Sequence, residues 1–209
     1  MKKYITEFIG TFFLTMTVGM VVLGGKGDFA PLAIGSVLMV MIFAGGHISG
    51  GHYNPAVTLA VLLRGKITLR DAIPYMIVQI LGAVVASLAV MYFLNDKIPA
   101  DAIPMTDNPK AVLAEFIGTF ALAYVVLNVA TAKGTSGNSF YGLAIGFTVL
   151  SMAYALGDMS GGAFNPAVAF CISMLKIKSW TNFWVYILGC FGGAALAAGV
   201  FKVCNPDDK

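Results

Sequence analysis

Asn-Pro-Ala occurs twice in this chain, at 54–56 and 165–167, each time behind a Ser-Gly-Gly stretch. The left contexts are Ser49-Gly50-Gly51-His52-Tyr53 and Ser160-Gly161-Gly162-Ala163-Phe164. Asn54 and Asn165 stand 111 residues apart in a chain of 209, so each half carries one copy. Asparagine caps helix N-termini, and proline fits the first helical position, where its missing N–H would have no partner anyway. Each motif therefore predicts the abrupt start of a helix. Hydrophobic residues make up 58% of the chain and charged ones 11%, against roughly 25% charged in a soluble domain. That balance identifies an integral membrane protein. A helix that starts at membrane depth points its free N–H groups at something polar.

A bilayer-spanning helix needs about 20 apolar residues. Four stretches meet this: Tyr4–Leu23, Ala72–Leu94, Ala111–Ala130 and Trp180–Val203. Two shorter ones, near Leu32–Ala44 and Gly142–Leu156, run into the glycine-rich segments and then into the motif helices, expected over Pro55–Leu63 and Pro166–Leu175. At 1.5 Å per residue, about ten residues span only ~15 Å, half of the ~30 Å hydrocarbon layer. Two such half-helices end to end would cross it once.

The halves repeat. Glu7-Phe8-Ile9-Gly10-Thr11-Phe12 matches Glu115-Phe116-Ile117-Gly118-Thr119-Phe120 residue for residue, and Leu32-Ala33-Ile34-Gly35 matches Leu143-Ala144-Ile145-Gly146. Ile80-Leu81-Gly82 is also paired with Ile187-Leu188-Gly189. Each half holds three spans, an odd number, so the second half sits upside down relative to the first. Inverted repeats with broken helices place their site at the repeat interface near mid-membrane. The fold class is thus an all-α membrane protein of six transmembrane helices and two re-entrant half-helices. It forms one domain over 1–209, with repeats of approximately 1–95 and 110–204. Gly82, Ala86, Gly189 and Gly193 read as close helix packing between facing spans.

Six spans put both termini on one face. If that face is cytoplasmic, Lys2, Lys3, Arg64, Lys66, Arg70, Lys133, Lys202 and Lys209 are inside, and Lys26, Lys97, Lys110, Lys176 and Lys178 are outside. The bias follows the positive-inside rule. The expected location is the cell (inner) membrane with cytoplasmic termini and a retained first span, since no cleavage site follows the first apolar run. Net charge is +3 without a basic block, which gives nucleic-acid binding no support. Cys171, Cys190 and Cys204 have neither metal-type nor disulfide-framework spacing and read as free thiols. No nucleophile–base set, paired carboxylates or cofactor loop appears, so no enzyme activity and no cofactor is expected.

The site candidates follow from these elements. Asn54 and Asn165 cap half-helices whose N-termini face each other, each end carrying about half a positive charge. Their amides can donate to a passing oxygen, while a cation meets positive potential and loses hydration. Gly50, Gly51, Gly161 and Gly162 lie in segments expected to be extended, with carbonyls lining a water-filled path. Glu7 and Glu115 are ionisable groups inside apolar spans. His47 and His52 flank the first loop without a second ligand set, which reads as a vestibule rather than a metal site.

These motifs strongly resemble the aquaporin (major intrinsic protein) family. The resemblance runs over essentially the whole chain and includes His47-Ile48-Ser49-Gly50-Gly51-His52-Tyr53-Asn54-Pro55-Ala56-Val57-Thr58. It implies a single-file pore through each protomer, a central constriction at Asn54 and Asn165, and a homotetramer. It also implies that Glu7 and Glu115 accept hydrogen bonds from the re-entrant loops, with a proton relay as the alternative. By local alignment the outer selectivity filter comprises Ile34, Ala153, Gly162 and Val168. Val168 stands where the family usually has arginine, Ala153 where it often has histidine, and Ile34 where it usually has an aromatic residue. The filter is therefore expected to be wide, apolar and without a fixed charge. Asp158 is placed near the outer mouth, with a solvated loop acid as the alternative.

Subfamily features conflict. Phe183-Trp184 and the short loops resemble the water-channel branch. The aspartate that glycerol facilitators carry shortly after the second motif is absent, Ala169-Phe170 standing there instead. The function expected is a passive channel for water and small uncharged solutes, among them glycerol, urea, ammonia, peroxide or neutral metalloid acids. A coupled secondary transporter and a closed-pore structural membrane protein remain as alternatives.

Overall fold

The computed structural model describes residues 1–208. It comprises, among these residues, eight α-helices: α1 (Lys2–Leu23), α2 (Ala30–Ser49), α3 (Pro55–Arg64), α4 (Leu69–Phe93), α5 (Asn108–Ala130), α6 (Tyr141–Ser160), α7 (Pro166–Met174) and α8 (Phe183–Cys204). Six of them are 20 to 25 residues long and apolar enough to cross a membrane. The other two, α3 with 10 residues and α7 with 9, are the half-helices. Both termini lie on one face of the bundle, where Lys3 pairs with Asp71 at 2.7 Å and Arg64 with Asp208 at 2.6 Å. Lys209, counted above among the charges of that face, falls outside the described residues.

Two expectations about length need correction. α2 and α6 are full spans of 20 residues, not short ones. Both continue through Gly45-Gly46 and Gly157, past the ends expected at Ala44 and Leu156, and stop only at Gly50 (φ 92°) and Gly161 (φ 98°). In hydrocarbon a continuous helix satisfies its own backbone, so isolated glycines do not interrupt it. The segments after them are consequently short, five residues each, and mostly left-handed rather than extended. Gly51, Tyr53, Gly162 and Phe164 are also left-handed, with φ of 64°, 47°, 62° and 48°. Asn54 (φ −158°) and Asn165 (φ −162°) are extended.

The halves meet where glycines allow backbones to touch. α2 crosses α6 at Gly35 and Gly146. A Cβ on either would fall 2.7 or 2.5 Å from the carbonyl oxygen of the other. α4 packs on α1 at Gly82, where a Cβ would lie 2.7 Å from the Phe8 carbonyl oxygen. α8 packs on α5 at Gly189 and Gly193, each with Phe116 backbone close by. These glycines thus face α1 and α5, not one another. Gly82 contacts Phe8 and Phe12 as Gly193 contacts Phe116 and Phe120, so Gly193, not Gly189, is the structural counterpart of Gly82.

That register pairs Tyr75 with Tyr186 and Gln79 with Cys190, and all four side chains serve the loops. Glu7, fully buried in α1, accepts from the Ser49 hydroxyl (2.7 Å), the His52 and Tyr53 amides (2.9 and 2.7 Å) and the Gln79 side-chain amide (2.8 Å). Glu115 in α5 accepts from the Ser160 hydroxyl (2.6 Å), the Ala163 and Phe164 amides (2.9 and 2.6 Å) and the Cys190 thiol (3.5 Å). The Tyr75 hydroxyl donates to the Ser49 carbonyl and Tyr186 to the Ser160 carbonyl. Left-handed backbone lets successive N–H groups converge on one anion. The Tyr53 and Phe164 rings fill notches over Gly10 and Gly118, where any Cβ would overlap them.

Glu7→Gln replaces one oxygen by a second donor facing the Tyr53 amide or the Ser49–His52 pair. It is expected to destabilise the protein by about 1–3 kcal/mol, the cost of an unsatisfied buried group. The check is a lowered Tm in detergent together with reduced water permeability in liposomes; wild-type values for both would remove Glu7 as the loop's anchor.

Candidate functional site: a cavity between the two half-helices

α3 and α7 begin alike. The Asn54 side-chain oxygen accepts from the Ala56 amide at 2.8 Å and the Asn165 oxygen from the Ala167 amide at 2.9 Å, with proline first in each helix. The side-chain nitrogens then cross over. Asn54 Nδ2 donates to the Phe164 carbonyl and Asn165 Nδ2 to the Tyr53 carbonyl, both at 2.9 Å. Each cap is therefore bonded to the loop leading into the other half-helix. An amide nitrogen carries two N–H donors, so each asparagine keeps one beyond its cross-loop bond. Both asparagines line a cavity of about 330 Å³.

The cavity wall is mainly aliphatic: Leu14, Val18, Leu38 and Ile42 on one side, Leu122, Val126, Ile145 and Val149 on the other. Its polar groups come from Asn54, Asn165, His52, Asp158, Lys178 and the loop backbones at Gly51, Gly161, Gly162 and Ala163. Among the described residues, no protein donor reaches the carbonyls of Gly50, Gly51 and His52, or those of Gly161, Gly162 and Ala163. The flanking carbonyls of Ser49, Tyr53, Ser160 and Phe164 are all taken. A line of free acceptors thus borders a greasy wall, with two half-helix N-termini and two spare amide donors between them.

A second cavity of about 440 Å³ opens on the face that carries the termini. It is lined by Lys3, Ser49, Gly50, Lys66, Asp71 and Tyr75, and shares His52 and Val126 with the first. His52 stands at the joint, its Nδ1 3.1 Å from the Thr58 hydroxyl, which in turn receives the Gln79 amide at 3.0 Å. His47 is placed differently. It lies in the last turn of α2 and borders a groove with Lys133, Thr135 and Tyr141, beside this opening and away from His52.

Of the four filter candidates, Ile34, Gly162 and Val168 line the first cavity together. Ala153 does not; one helical turn to either side, Val149 and Gly157 form that wall instead. Its methyl group is too small to reach the space that a histidine would occupy. Asp158 is in α6, not in a loop, and lines the far mouth with Lys178, which the sequence placed only among the charges of the outer face. Gln79, Cys190, Tyr75 and Tyr186 were missed; only the 111-residue register, once extended to α4 and α8, singles them out. Cys171 is buried with its thiol 3.5 Å from the Thr15 carbonyl and is not part of the cavity wall.

Comparison with known proteins agrees with this architecture. The family model "Major intrinsic protein" matches residues 1–201. "Glycerol uptake facilitator protein-like 6" of Lactiplantibacillus plantarum is 39% identical, with all of both chains aligned. "Aquaporin AqpM" of Methanothermobacter thermautotrophicus is 33% identical over 96% of each chain, and "Aquaporin NIP1-1" of Zea mays is 34% identical over all of this chain and 76% of its own. The crystal structure of the aquaglyceroporin from Plasmodium falciparum superposes with a TM-score of 0.82 at 25% identity, covering 98% of this chain and 97% of that one. Two half-helices capped by cross-bonded asparagines, six apolar spans and a family match along nearly the whole length make this chain a member of the major intrinsic protein family.

Proposed function

We propose that the protein is a passive transmembrane channel for water and small uncharged solutes, with the two cavities as one path joined beside His52. The observation that carries this reading is the reciprocal pairing of Asn54 and Asn165 inside an otherwise aliphatic cavity. A neutral hydroxylated or carbonyl-bearing solute finds donors at the half-helix ends and acceptors along the loops, so it exchanges its hydration for protein contacts. A cation meets two positive dipole ends and an aliphatic wall and is not compensated. Asn54 and Asn165 form the central constriction on this reading, the backbones at Gly50, Gly51, Gly161 and Gly162 supply the acceptor ladder, and Ile34, Gly162 and Val168 make the outer filter. The path belongs to one domain of two inverted halves. The face carrying the termini is cytoplasmic, and the working form is a homotetramer.

With valine, isoleucine and glycine at the filter, size selection is loose. Relatives bearing both "aquaporin" and "glycerol uptake facilitator" names support a solute range wider than water. In reconstituted liposomes, stopped-flow light scattering is expected to show osmotic shrinkage much faster than in empty vesicles, with low activation energy. Shrinkage no faster than in empty vesicles would leave a closed-pore structural role, and flux that saturates with an ion gradient would favour a coupled transporter.

Val168→Arg is expected to lower glycerol and urea flux by about tenfold or more, equivalent to a barrier rise of about 1.4 kcal/mol, while water still passes. Unchanged flux of both solutes would take Val168 out of the constriction. A membrane-impermeant mercurial is expected to leave water permeability unaltered, because Cys171 faces Thr15 and not the path. A strong block abolished by Cys171→Ser would reverse that placement.

A further inference from the structure

We infer that Lys178 is the charged, specificity-determining residue of the outer mouth, set outside the constriction rather than in it. The inference rests on the channel reading above. The constriction itself carries no charge, since Val168, Ile34 and Gly162 provide only aliphatic surface and backbone. Yet the same cavity is lined by one cation, Lys178, and one anion, Asp158, both at its far end.

Lys178 is built into position. Two residues past α7, Lys176 is left-handed (φ 56°), and the amides of Ile177 and Lys178 both donate to the Ile172 carbonyl, at 2.9 and 3.2 Å. The next residue, Ser179, donates to the Ile103 carbonyl at 3.1 Å and ties the segment to the connection between α4 and α5. The aliphatic stem of Lys178 then runs over Gly161. A Cβ on that glycine would lie 3.0 Å from the Lys178 Cε, so the stem passes close over the bare backbone.

The ammonium has no structural task to explain this placement. Among the described residues it forms no ion pair and no hydrogen bond, whereas the neighbouring Lys176 donates to the Ala100 carbonyl. A free ammonium held at a channel mouth raises the local potential and lowers the concentration of cations there. Asp158 opposes it, and alone would attract them. The pair therefore divides the work: Lys178 turns cations away before they lose water, and the aliphatic filter behind it selects by size.

The test uses guanidinium at millimolar concentration as a cationic blocker of osmotic water flow in liposomes. Four forms are compared: wild type, Lys178→Met, Lys178→Arg and Lys178→Met with Asp158→Asn. Lys178→Met is expected to be half-blocked at about tenfold lower guanidinium than wild type, the effect of one unit charge a few ångströms away at intermediate dielectric. Lys178→Arg should behave as wild type, and adding Asp158→Asn to Lys178→Met should remove the gained sensitivity. Block in each form is scored as a fraction of that form's own unblocked water flux. Normal flux with no gain of block in Lys178→Met overturns this inference and leaves the channel reading intact. Absence of flux in the wild type overturns both.

Discussion

A carboxylate buried in a membrane span is costly unless every lone pair it offers is used. Glu7 and Glu115 solve this by binding the one kind of backbone that a bilayer does not otherwise accept. Each re-entrant loop leaves amide donors homeless at membrane depth, and each glutamate leaves a charge without solvent. Joined, the two liabilities cancel: four donors reach each carboxylate, two of them backbone amides. Turning the N–H groups toward the glutamate leaves most loop carbonyls without protein donors, and on the proposed reading those carbonyls serve a passing solute. The scaffold and the path are two sides of the same peptide planes.

The asparagines add a second lock of a different kind. Because each Nδ2 donates to the carbonyl preceding the other motif, neither half-helix can shift without loosening its counterpart. Left-handed Tyr53 and Phe164 carry the accepting carbonyls, and a non-glycine residue in that region is strained. Their rings, pressed into the notches over Gly10 and Gly118, hold the strained backbone in place. Rigidity at the centre thus derives from packing against α1 and α5.

Much of this was legible before any coordinates. The repeated motif implied the half-helices and their opposed N-termini, and the resemblance to the family implied that the recurring glutamate braces each re-entrant loop. Helix lengths were less legible, because glycine in water-soluble chains marks an end, whereas Gly45, Gly46 and Gly157 lie within continuous helices. The bracing partners could not be read at all by identity: Gln79 and Cys190 are chemically unlike residues in equivalent places, and local similarity drew the register four residues off. Lys178 stood in the sequence only as one of several outer charges, because its place over Gly161 depends on how the segment after α7 folds back. Ala153, carried over by alignment, does not border the cavity, since a methyl group has little reach at a position where the family often has histidine.

The crossing of α2 and α6 has a consequence for the molecule's origin. Gly35 and Gly146 touch each other's carbonyls, so equivalent points of the two halves meet at a local pseudo-twofold axis. A half-length chain bearing a single such glycine would encounter its own twin there. For that to happen the twins must have threaded the bilayer in opposite senses, which makes an ancestor indifferent to insertion direction the simplest precursor of a fused, direction-committed descendant.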